Sequence, residues 1–317
     1  MTANTLRIGT RASRLALWQA EWVQQQLEQL HPGLTVSLVP ITTKGDKILD
    51  VPLAKVGGKG LFVKELEEAL YDGSVDLAVH SMKDVPSVLP TGLILPCIPL
   101  REDPRDALIT PDGRGFAQLP QGARIGTSAL RRQAQLLHQR PDLTIVSLRG
   151  NVETRLRKMD EEQLDGIVLA AAGLKRLELA ERISEYLPID LSLPAIGQGA
   201  LGLECRQGDE RTLALIAPLH HADTAVAVTA ERAFLRRLNG GCQVPLAAHA
   251  TVVGDRVNLI GLVAEVDGSH LLKDTLVASV PEAEAAGRQL AESLLSQGAD
   301  SILAALDITP DPSAFCS

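Results

Sequence analysis

Two copies of one short motif, 117 residues apart, constrain the fold of this 317-residue chain more than any other feature. Residues 7–14 read RIGTRASR and residues 124–131 read RIGTSALR, so the copies agree at six of eight positions. Each copy ends a short apolar run at the point where a helical pattern begins. A motif repeated at the same strand-to-helix junction predicts two similar α/β lobes.

Apolar periodicity extends this prediction along the chain. In the first lobe a strand at residues 6–9 and a helix at residues 13–30 open an alternation of strands and helices, and residues 124–170 repeat it. Such alternation is typical of a largely parallel sheet with helices on both faces. The last third differs, because three antiparallel strands between residues 244 and 278 and a helix at residues 281–297 indicate a small α+β domain.

Charge and composition exclude several classes of partner. The net charge of −8 and the aromatic content of 3% argue against a nucleic-acid or anionic-membrane binder. Neither a membrane-spanning run nor a signal peptide is evident, and the four cysteines lack zinc spacing, so we expect a cytoplasmic protein without a metal. The charge is uneven, however: residues 124–158 carry +6 and the rest of the chain −14.

Both repeated junctions are suited to binding anions. Backbone N–H groups and the helix dipole favour an anion there, and Thr10, Ser13, Thr127 and Ser128 add hydroxyl donors. These hydroxyls are equally well interpreted as helix caps. The surrounding arginines favour anion binding over simple capping. A solvated helix face explains any one of them, but the group as a whole indicates a ligand with several negative charges. They are Arg11, Arg14, Arg131, Arg132, Arg149 and Arg155.

The pair Lys83-Asp84 directly follows a buried strand pattern. Ligands of open α/β sheets bind beyond the carboxyl ends of strands, so both side chains are expected at the site. The alternative is a surface turn with an exposed ion pair. An acid among arginines suggests another task than anion binding, and Asp84 is suited to stabilise a cation formed during a reaction.

Two further segments carry candidate chemistry. Cys242 follows two glycines in a loop, where nearby arginines would lower its pKa, although an idle cysteine is the simpler interpretation. Cys97 and Cys205 lie in apolar strand-like runs and are interpreted as structural. Residues 44–60, rich in glycine and lysine, have the composition of a lid over a negatively charged ligand.

Seven motifs in order link these candidates. They are RIGTRAS (7–13), GGKGLF (57–62), HSMKDVP (80–86), REDPRD (101–106), LRGNV (148–152), PAIGQGA (194–200) and GGCQVP (240–245). On these motifs the chain resembles the porphobilinogen deaminase (hydroxymethylbilane synthase) family over residues 6–245, and more loosely beyond.

The resemblance implies a transferase that joins four porphobilinogen molecules into hydroxymethylbilane with release of ammonia. It implies a dipyrromethane cofactor held by a thioether to Cys242, and a protein that is usually monomeric. The implied fold has two lobes resembling type II periplasmic binding proteins plus a small α+β domain. The expected domains are residues 1–100 with 198–218, residues 101–197, and residues 219–317 with the cofactor cysteine.

The resemblance also assigns roles to single residues. Asp84 is the implied catalytic residue, and Lys59 is the implied base of the mobile loop. The implied cofactor-binding residues are Ser13, Lys83, Asp84, Thr127, Ser128, Arg131, Arg132, Arg149 and Gly150. The implied substrate-binding residues are Arg11, Gln19, Phe62, Arg149, Arg155, Arg176 and Gln198. Ala129 replaces a serine that is frequent in the family, which removes one hydrogen-bond donor.

Two other functions remain open from the residues alone. A non-catalytic two-lobed binding or sensor protein for a dicarboxylate explains the anion sites equally well, but not the Gly-Gly-Cys loop. A thiol-dependent acyl transferase would need a histidine near Cys242.

Overall fold

The structure is a computed structural model that describes residues 4–47, 61–240, 244–306, 308 and 310. The strands are β1 (Thr5–Arg11), β2 (Thr35–Ile41), β3 (Leu77–Ser81), β4 (Leu93–Cys97), β5 (Asp106–Ile109), β6 (Arg124–Gly126), β7 (Thr144–Val146), β8 (Gly166–Ala170), β9 (Glu185–Tyr186), β10 (Leu201–Arg206), β11 (Leu246–Val253), β12 (Arg256–Ala264) and β13 (Leu271–Ser279). The helices are α1 (Arg14–Leu30), α2 (Lys44–Lys47), α3 (Lys64–Tyr71), α4 (Leu130–Gln139), α5 (Val152–Glu161), α6 (Ala171–Arg176), α7 (Glu210–Ile216), α8 (Ala222–Arg237), α9 (Ala283–Leu294) and α10 (Asp300–Ala304).

The chain divides into two compact units. The first holds residues 1–102 and 200–225, and the second holds residues 103–199 and 226–317. The three-domain boundaries expected from the resemblance stay a prediction. No single helix among the described residues is long and apolar enough to span a membrane, and one bent pair meets that test on length and composition alone.

The first unit is built on a five-stranded sheet in the order β2-β1-β3-β10-β4. β1 is parallel to β2 and β3, whereas β10 is antiparallel to both of its neighbours. Ile8 of β1 packs with Val23 and Leu27 of α1 in the apolar core, all three fully buried. The apolar spacing of α1 therefore matches the face that it buries.

The second unit contains a sheet of the same design, in the order β7-β6-β8-β5-β9. β6 is parallel to β7 and β8, and β5 is the antiparallel strand. β6 therefore takes the place that β1 has in the first sheet, as the repeated motif predicts. The likeness extends to side chains: the backbone N–H of Arg7 donates to Asp76 Oδ2 (2.9 Å), and that of Arg124 donates to Asp165 Oδ2 (2.7 Å).

The predicted antiparallel domain is also present, within the second unit. β11, β12 and β13 form a three-stranded antiparallel sheet whose core side chains pack against α8 and α9. Phe234 of α8 and Leu290 of α9 are fully buried there. The two helices meet closely, because a Cβ added at Gly287 would lie 2.1 Å from the carbonyl oxygen of Ala230. The α/β class with a C-terminal α+β part is therefore confirmed.

Candidate functional site

Arg11, the last residue of β1, contacts two residues that are distant from it in sequence, Asp46 and Phe62. Its Nε donates to Asp46 Oδ1 (3.1 Å), and its guanidinium carbon lies 4.3 Å from the centroid of the Phe62 ring. Burial opposes ionisation of Asp46, but hydrogen bonds from Arg11 and Thr43 hold its pKa below the usual value. The structure thus brings Arg11 and Phe62 together and adds Asp46 to them.

The ends of the glycine-rich connection are joined at the same place. The N–H of Gly45 donates to the carbonyl of Leu61 (2.9 Å), and the N–H of Lys44 donates to Glu65 Oε1 (3.0 Å). A Cβ at Gly45 would lie 2.3 Å from the Phe62 ring, so glycine allows the ring its position. Lys59 lies outside the described residues, and the lid stays a prediction.

Lys83 and Asp84 lie in a 3₁₀ turn, residues Met82–Asp84, directly after β3. The N–H of the fully buried Met82 donates to the carbonyl of Ala200 (3.0 Å), which anchors the turn. Both charged side chains are half-buried. Within the described part of the chain, the Asp84 carboxylate makes no hydrogen bond and no ion pair. An exposed ion pair therefore does not describe Asp84, and its carboxylate is available to an N–H donor or a cation.

The hydroxyls at the first junction are mostly used within the fold. Ser13 is the N-cap of α1 and accepts from the N–H of Ala16 (3.4 Å). Thr10 is fully buried and donates to the carbonyl of Ala16 (3.0 Å). Gln19 is buried on the same helix. The helix-cap interpretation is thus correct for Ser13, which does not exclude a second partner for its hydroxyl.

The second junction differs, because no side chain caps α4. Its N-cap is Ala129, where the backbone N–H donates to Thr127 Oγ1 (3.3 Å). Ser128 is half-buried and makes no hydrogen bond with the described residues. The first turn of a ten-residue helix with this end is a favourable place for an anion.

Arg131 and Arg132, in that first turn, converge on one buried carboxylate. Arg131 donates from Nη1 to Asp106 Oδ2 (2.6 Å) and from Nη2 to Asp106 Oδ1 (3.0 Å). Arg132 donates from Nε (3.0 Å) and Nη2 (2.7 Å) to the same Oδ1. Asp106 is fully buried, and the arginines are 6% and 5% exposed.

This cluster is ionised and retains positive charge. Burial opposes ionisation of Asp106, but the charges and hydrogen bonds of both arginines outweigh it and hold the pKa of Asp106 far below the usual range. Burial lowers the pKa of Arg132, against the effect of Asp106. Two guanidinium groups and one carboxylate leave a net charge of about +1. Each Nη of Arg132 makes one hydrogen bond to a described residue, so each has one N–H to spare.

Two neutral side chains complete the network. Ser192 Oγ donates to Asp106 Oδ2 (2.7 Å). Gln198 Nε2 donates to Asp106 Oδ1 (3.0 Å) and to the carbonyl of Pro104 (2.6 Å), while its Oε1 accepts from Arg131 Nη2 (2.9 Å). Gln198, predicted as a substrate-binding residue, thus contacts Arg131 directly and is linked to Arg132 through Asp106.

The other predicted residues of this unit follow neighbouring strands. The carbonyl of Gly150, after β7, accepts from Arg155 Nε (2.8 Å), and φ of +123° at Gly150 favours glycine. Arg149 and Arg155 are half-buried. Arg176, at the end of α6 after β8, is buried and donates from Nη2 to the carbonyl of Gly199 (2.7 Å). Because β6, β7 and β8 are parallel, their carboxyl ends share one edge with these residues.

The basic segment 124–158 is not wholly part of this edge. Arg140 pairs with Asp142 (2.7 Å), and Arg157 pairs with Glu161 (2.5 Å) on the surface. The +6 excess of the sequence therefore overstates the charge available to a ligand.

Comparisons with known proteins match these motifs to one family. The family model "Porphobilinogen deaminase, dipyromethane cofactor binding domain" matches residues 6–214, and "Porphobilinogen deaminase, C-terminal domain" matches residues 225–296. The porphobilinogen deaminase of Syntrophotalea carbinolica is 84% identical over 98% of this chain and 99% of the relative. That of Geobacter metallireducens is 64% identical over 96% of this chain and 95% of the relative.

The chain belongs to the porphobilinogen deaminase family.

Solved structures similar to this chain include the periplasmic aliphatic sulphonate binding protein of Escherichia coli. It is 17% identical, with a TM-score of 0.40 and coverage of 74% of this chain and 70% of that one. Similarity at this level adds nothing to the family assignment, which rests on sequence.

The cysteine of the porphobilinogen deaminase motif GGCQVP, Cys242, lies outside the described residues. The approach to it is described: Asn239 has φ of +51°, and a Cβ at Gly240 would lie 2.2 Å from the Leu246 side chain. The backbone at Gly240 therefore approaches the Leu246 side chain more closely than a residue with a Cβ would allow. Among the described residues no group of three or more His, Cys, Asp or Glu side chains is placed to hold a metal.

Cys97 and Cys205 are structural, as predicted. Both are fully buried free thiols on β4 and β10. Burial is the main cause that raises the pKa of Cys97 to about 12 and that of Cys205 to about 11. Neither thiol has the low pKa of a reactive cysteine.

Two acidic members of the site, and Ser192 beside one of them, were missed at the level of sequence. Asp46 and Asp106 lie within segments that the motif analysis singles out, but neither received a role. The sequence did contain a signal for Asp106, which directly precedes the apolar run Ala107-Leu108-Ile109. An acid at the start of a buried strand needs a cation as its partner.

Proposed function

We propose that this chain is a porphobilinogen deaminase that joins four porphobilinogen molecules head to tail into the linear tetrapyrrole hydroxymethylbilane, in tetrapyrrole (haem, sirohaem) biosynthesis. The observation that carries the proposal is 84% identity to a porphobilinogen deaminase over 98% of the chain. The local geometry of both sheets agrees with it.

The reaction sets out what the residues have to do. Each addition forms one bond between the aminomethyl carbon of a porphobilinogen and a free α-carbon of a pyrrole. The C–N bond of the aminomethyl group breaks and the nitrogen leaves as ammonia, while the α-carbon loses a proton. Positive charge develops on pyrrole nitrogen as ammonia leaves, and each ring carries one acetate and one propionate.

The arginines meet the demand for carboxylate binding. In the second unit, the Arg131–Arg132–Asp106 cluster retains about +1 charge and two spare N–H groups on Arg132. Arg149 and Arg155 follow the neighbouring strand, and Arg176 follows the next. In the first unit Arg11 is held in place by Asp46 and Phe62. Charge-assisted hydrogen bonds from such groups bind carboxylates and fix their orientation.

Asp84 meets the opposite demand. Its half-buried carboxylate has no partner among the described residues, so it can accept pyrrole N–H groups and stabilise the positive charge that develops on them. The attraction between this fixed negative charge and the pyrrole nitrogen grows as positive charge develops, so it is stronger in the transition state than in the bound substrate. This difference lowers the barrier to ammonia loss.

The described residues fit a dipyrromethane cofactor. In the second unit, the arginine cluster and the uncapped end of α4 suit its carboxylates. In the first unit, taken by itself, Asp84 suits its pyrrole N–H groups. Ser13, Lys83, Thr127, Ser128, Arg149 and Gly150 are proposed as further contacts. When bound, the group supplies the pyrrole carbon from which the chain is extended, and Cys242 is proposed to hold it through a thioether.

Partners and location follow from the same proposal. The protein is proposed to act as a cytoplasmic monomer on porphobilinogen and the growing oligopyrrole, without nucleic acid or membrane. The net charge of −8 and the low aromatic content support the absence of nucleic-acid binding.

Ammonia release tests the proposal. Purified protein supplied with porphobilinogen should release one ammonia for each porphobilinogen consumed and form a linear tetrapyrrole. Saturable binding of porphobilinogen without ammonia would instead identify a binding protein.

A further inference from the structure

Asp106 is the centre of a buried network whose role the proposed function leaves unassigned. Its two oxygens accept six hydrogen bonds, from Arg131, Arg132, Ser192 and Gln198. Asp106 and Ser192 are fully buried, and the other three side chains are at most 6% exposed.

The position of Asp106 follows from strand direction. β5 is antiparallel to β8, with Asp106 opposite Ala170, so the first residue of β5 lies at the carboxyl end of β8. The arginines approach this edge from the first turn of α4. The fold therefore places the Asp106 carboxylate at the same edge of the sheet as the arginines that follow the parallel strands.

Adjacent arginines do not converge by themselves. Consecutive residues of a helix point about 100° apart, and two buried guanidinium groups repel each other. Arg131 nevertheless reaches both oxygens of Asp106, and Arg132 reaches one of them with two nitrogens. A neutral acceptor in place of the Asp106 carboxylate would accept similar hydrogen bonds, but it would not offset the repulsion between the two guanidinium groups.

We propose that Asp106 is a positioning residue that holds Arg131 and Arg132 together as one preformed receptor for a carboxylate of the cofactor. This inference rests on the proposed function. Asp106 itself bears a negative charge and acts through the two guanidinium groups, which keep spare N–H donors on Arg132.

The test is cofactor attachment, measured by intact mass. Wild-type protein, Asp106→Asn and the control Asp142→Asn are produced in cells that make no porphobilinogen and then supplied with it. Adduct formation is followed as a function of porphobilinogen concentration and normalised to folded protein from circular dichroism. Asp142→Asn weakens a half-buried Asp–Arg pair of the same unit, outside the network.

The half-saturating porphobilinogen concentration for adduct formation should rise about tenfold in Asp106→Asn, as for one lost charge-assisted hydrogen bond. The control should match the wild type. A purely structural Asp106 would reduce the folded fraction but leave this concentration unchanged for folded molecules, and that result would overturn the inference.

A charge-compensated variant covers the case in which Asp106→Asn does not fold. In Asp106→Asn/Arg132→Gln one buried cation is removed with the anion, and it is compared with Arg132→Gln. Arg132→Gln alone should raise the half-saturating porphobilinogen concentration about tenfold, because it removes the spare N–H donors. Adding Asp106→Asn should then leave this concentration nearly unchanged, because the donors that Asp106 positions are already absent. A concentration unchanged by Arg132→Gln, or a further tenfold rise in the double variant, would overturn the inference, whereas a wild type that forms no adduct would overturn the proposed function instead.

Discussion

Asp106→Asn should lower the free energy of unfolding by about 3–5 kcal/mol, the usual cost of removing one partner from a buried ion pair. An amide oxygen in place of Oδ1 keeps the four hydrogen bonds that this atom accepts. An amide nitrogen in place of Oδ2 faces Ser192 Oγ, which can accept, and Arg131 Nη1, which cannot. The loss therefore comes mainly from the missing charge, with one donor facing a donor.

The charge makes this loss depend on pH in a defined direction. The pKa of Asp106 is lowered in the folded protein, so its contribution is complete above the unfolded pKa of about 4 and declines as the pH falls below it. The difference in the free energy of unfolding between wild type and Asp106→Asn should shrink by about 1.4 kcal/mol for each pH unit below that value. Other carboxylates titrate in both proteins and cancel in the difference.

Urea unfolding followed by circular dichroism, at pH 7 and between pH 4 and pH 3, measures both quantities. Asp142→Asn, which weakens a half-buried pair with Arg140, should lower the free energy of unfolding much less than Asp106→Asn does and controls for the substitution itself. A loss below about 1 kcal/mol at pH 7, or a difference that stays constant in acid, would refute the assignment of an ionised Asp106 as counter-charge.

Three further predictions address the site, the helix packing and the thiols. Asp84→Asn should reduce ammonia release about 10²–10³-fold with an unchanged circular dichroism spectrum, and turnover like that of wild type would contradict the charge-stabilising role. Gly287→Ala should destabilise the protein by about 1–3 kcal/mol in urea, because the 2.1 Å approach to the carbonyl of Ala230 outweighs the gain in helix propensity of about 1 kcal/mol; a stabilised variant would show that the helices do not meet there. Cys97 and Cys205, with pKa values of about 12 and about 11, should resist iodoacetamide at pH 8 until the protein is unfolded, and peptide mapping that finds either alkylated in native protein would contradict their burial.

The repeated motif predicted the fold well because it marks the same place in two sheets. β1 and β6 are each flanked by two parallel strands, as the copies of the motif indicate. Sequence periodicity did not show that β5 and β10 run antiparallel. The direction of a strand depends on where its connection crosses, and β10 pairs with β3 across more than a hundred residues.

The candidate site was predictable in its composition but not in its charge balance. Clustered arginines at strand ends indicated an anion, and Arg131 and Arg132 do lie at such an end. That Asp106 offsets one of their charges depends on a pairing of β5 with β8, which no local pattern encodes. For the same reason Asp46 was not connected with Arg11, 35 residues away.

The mass of the intact, denatured protein tests the central claim most directly. Attachment of two porphobilinogen units to a thiol releases two ammonia molecules, so the account predicts the mass of the chain plus two porphobilinogens less two ammonias, with the added mass on the peptide that contains Cys242. An unmodified chain that still converts porphobilinogen to a linear tetrapyrrole would contradict it.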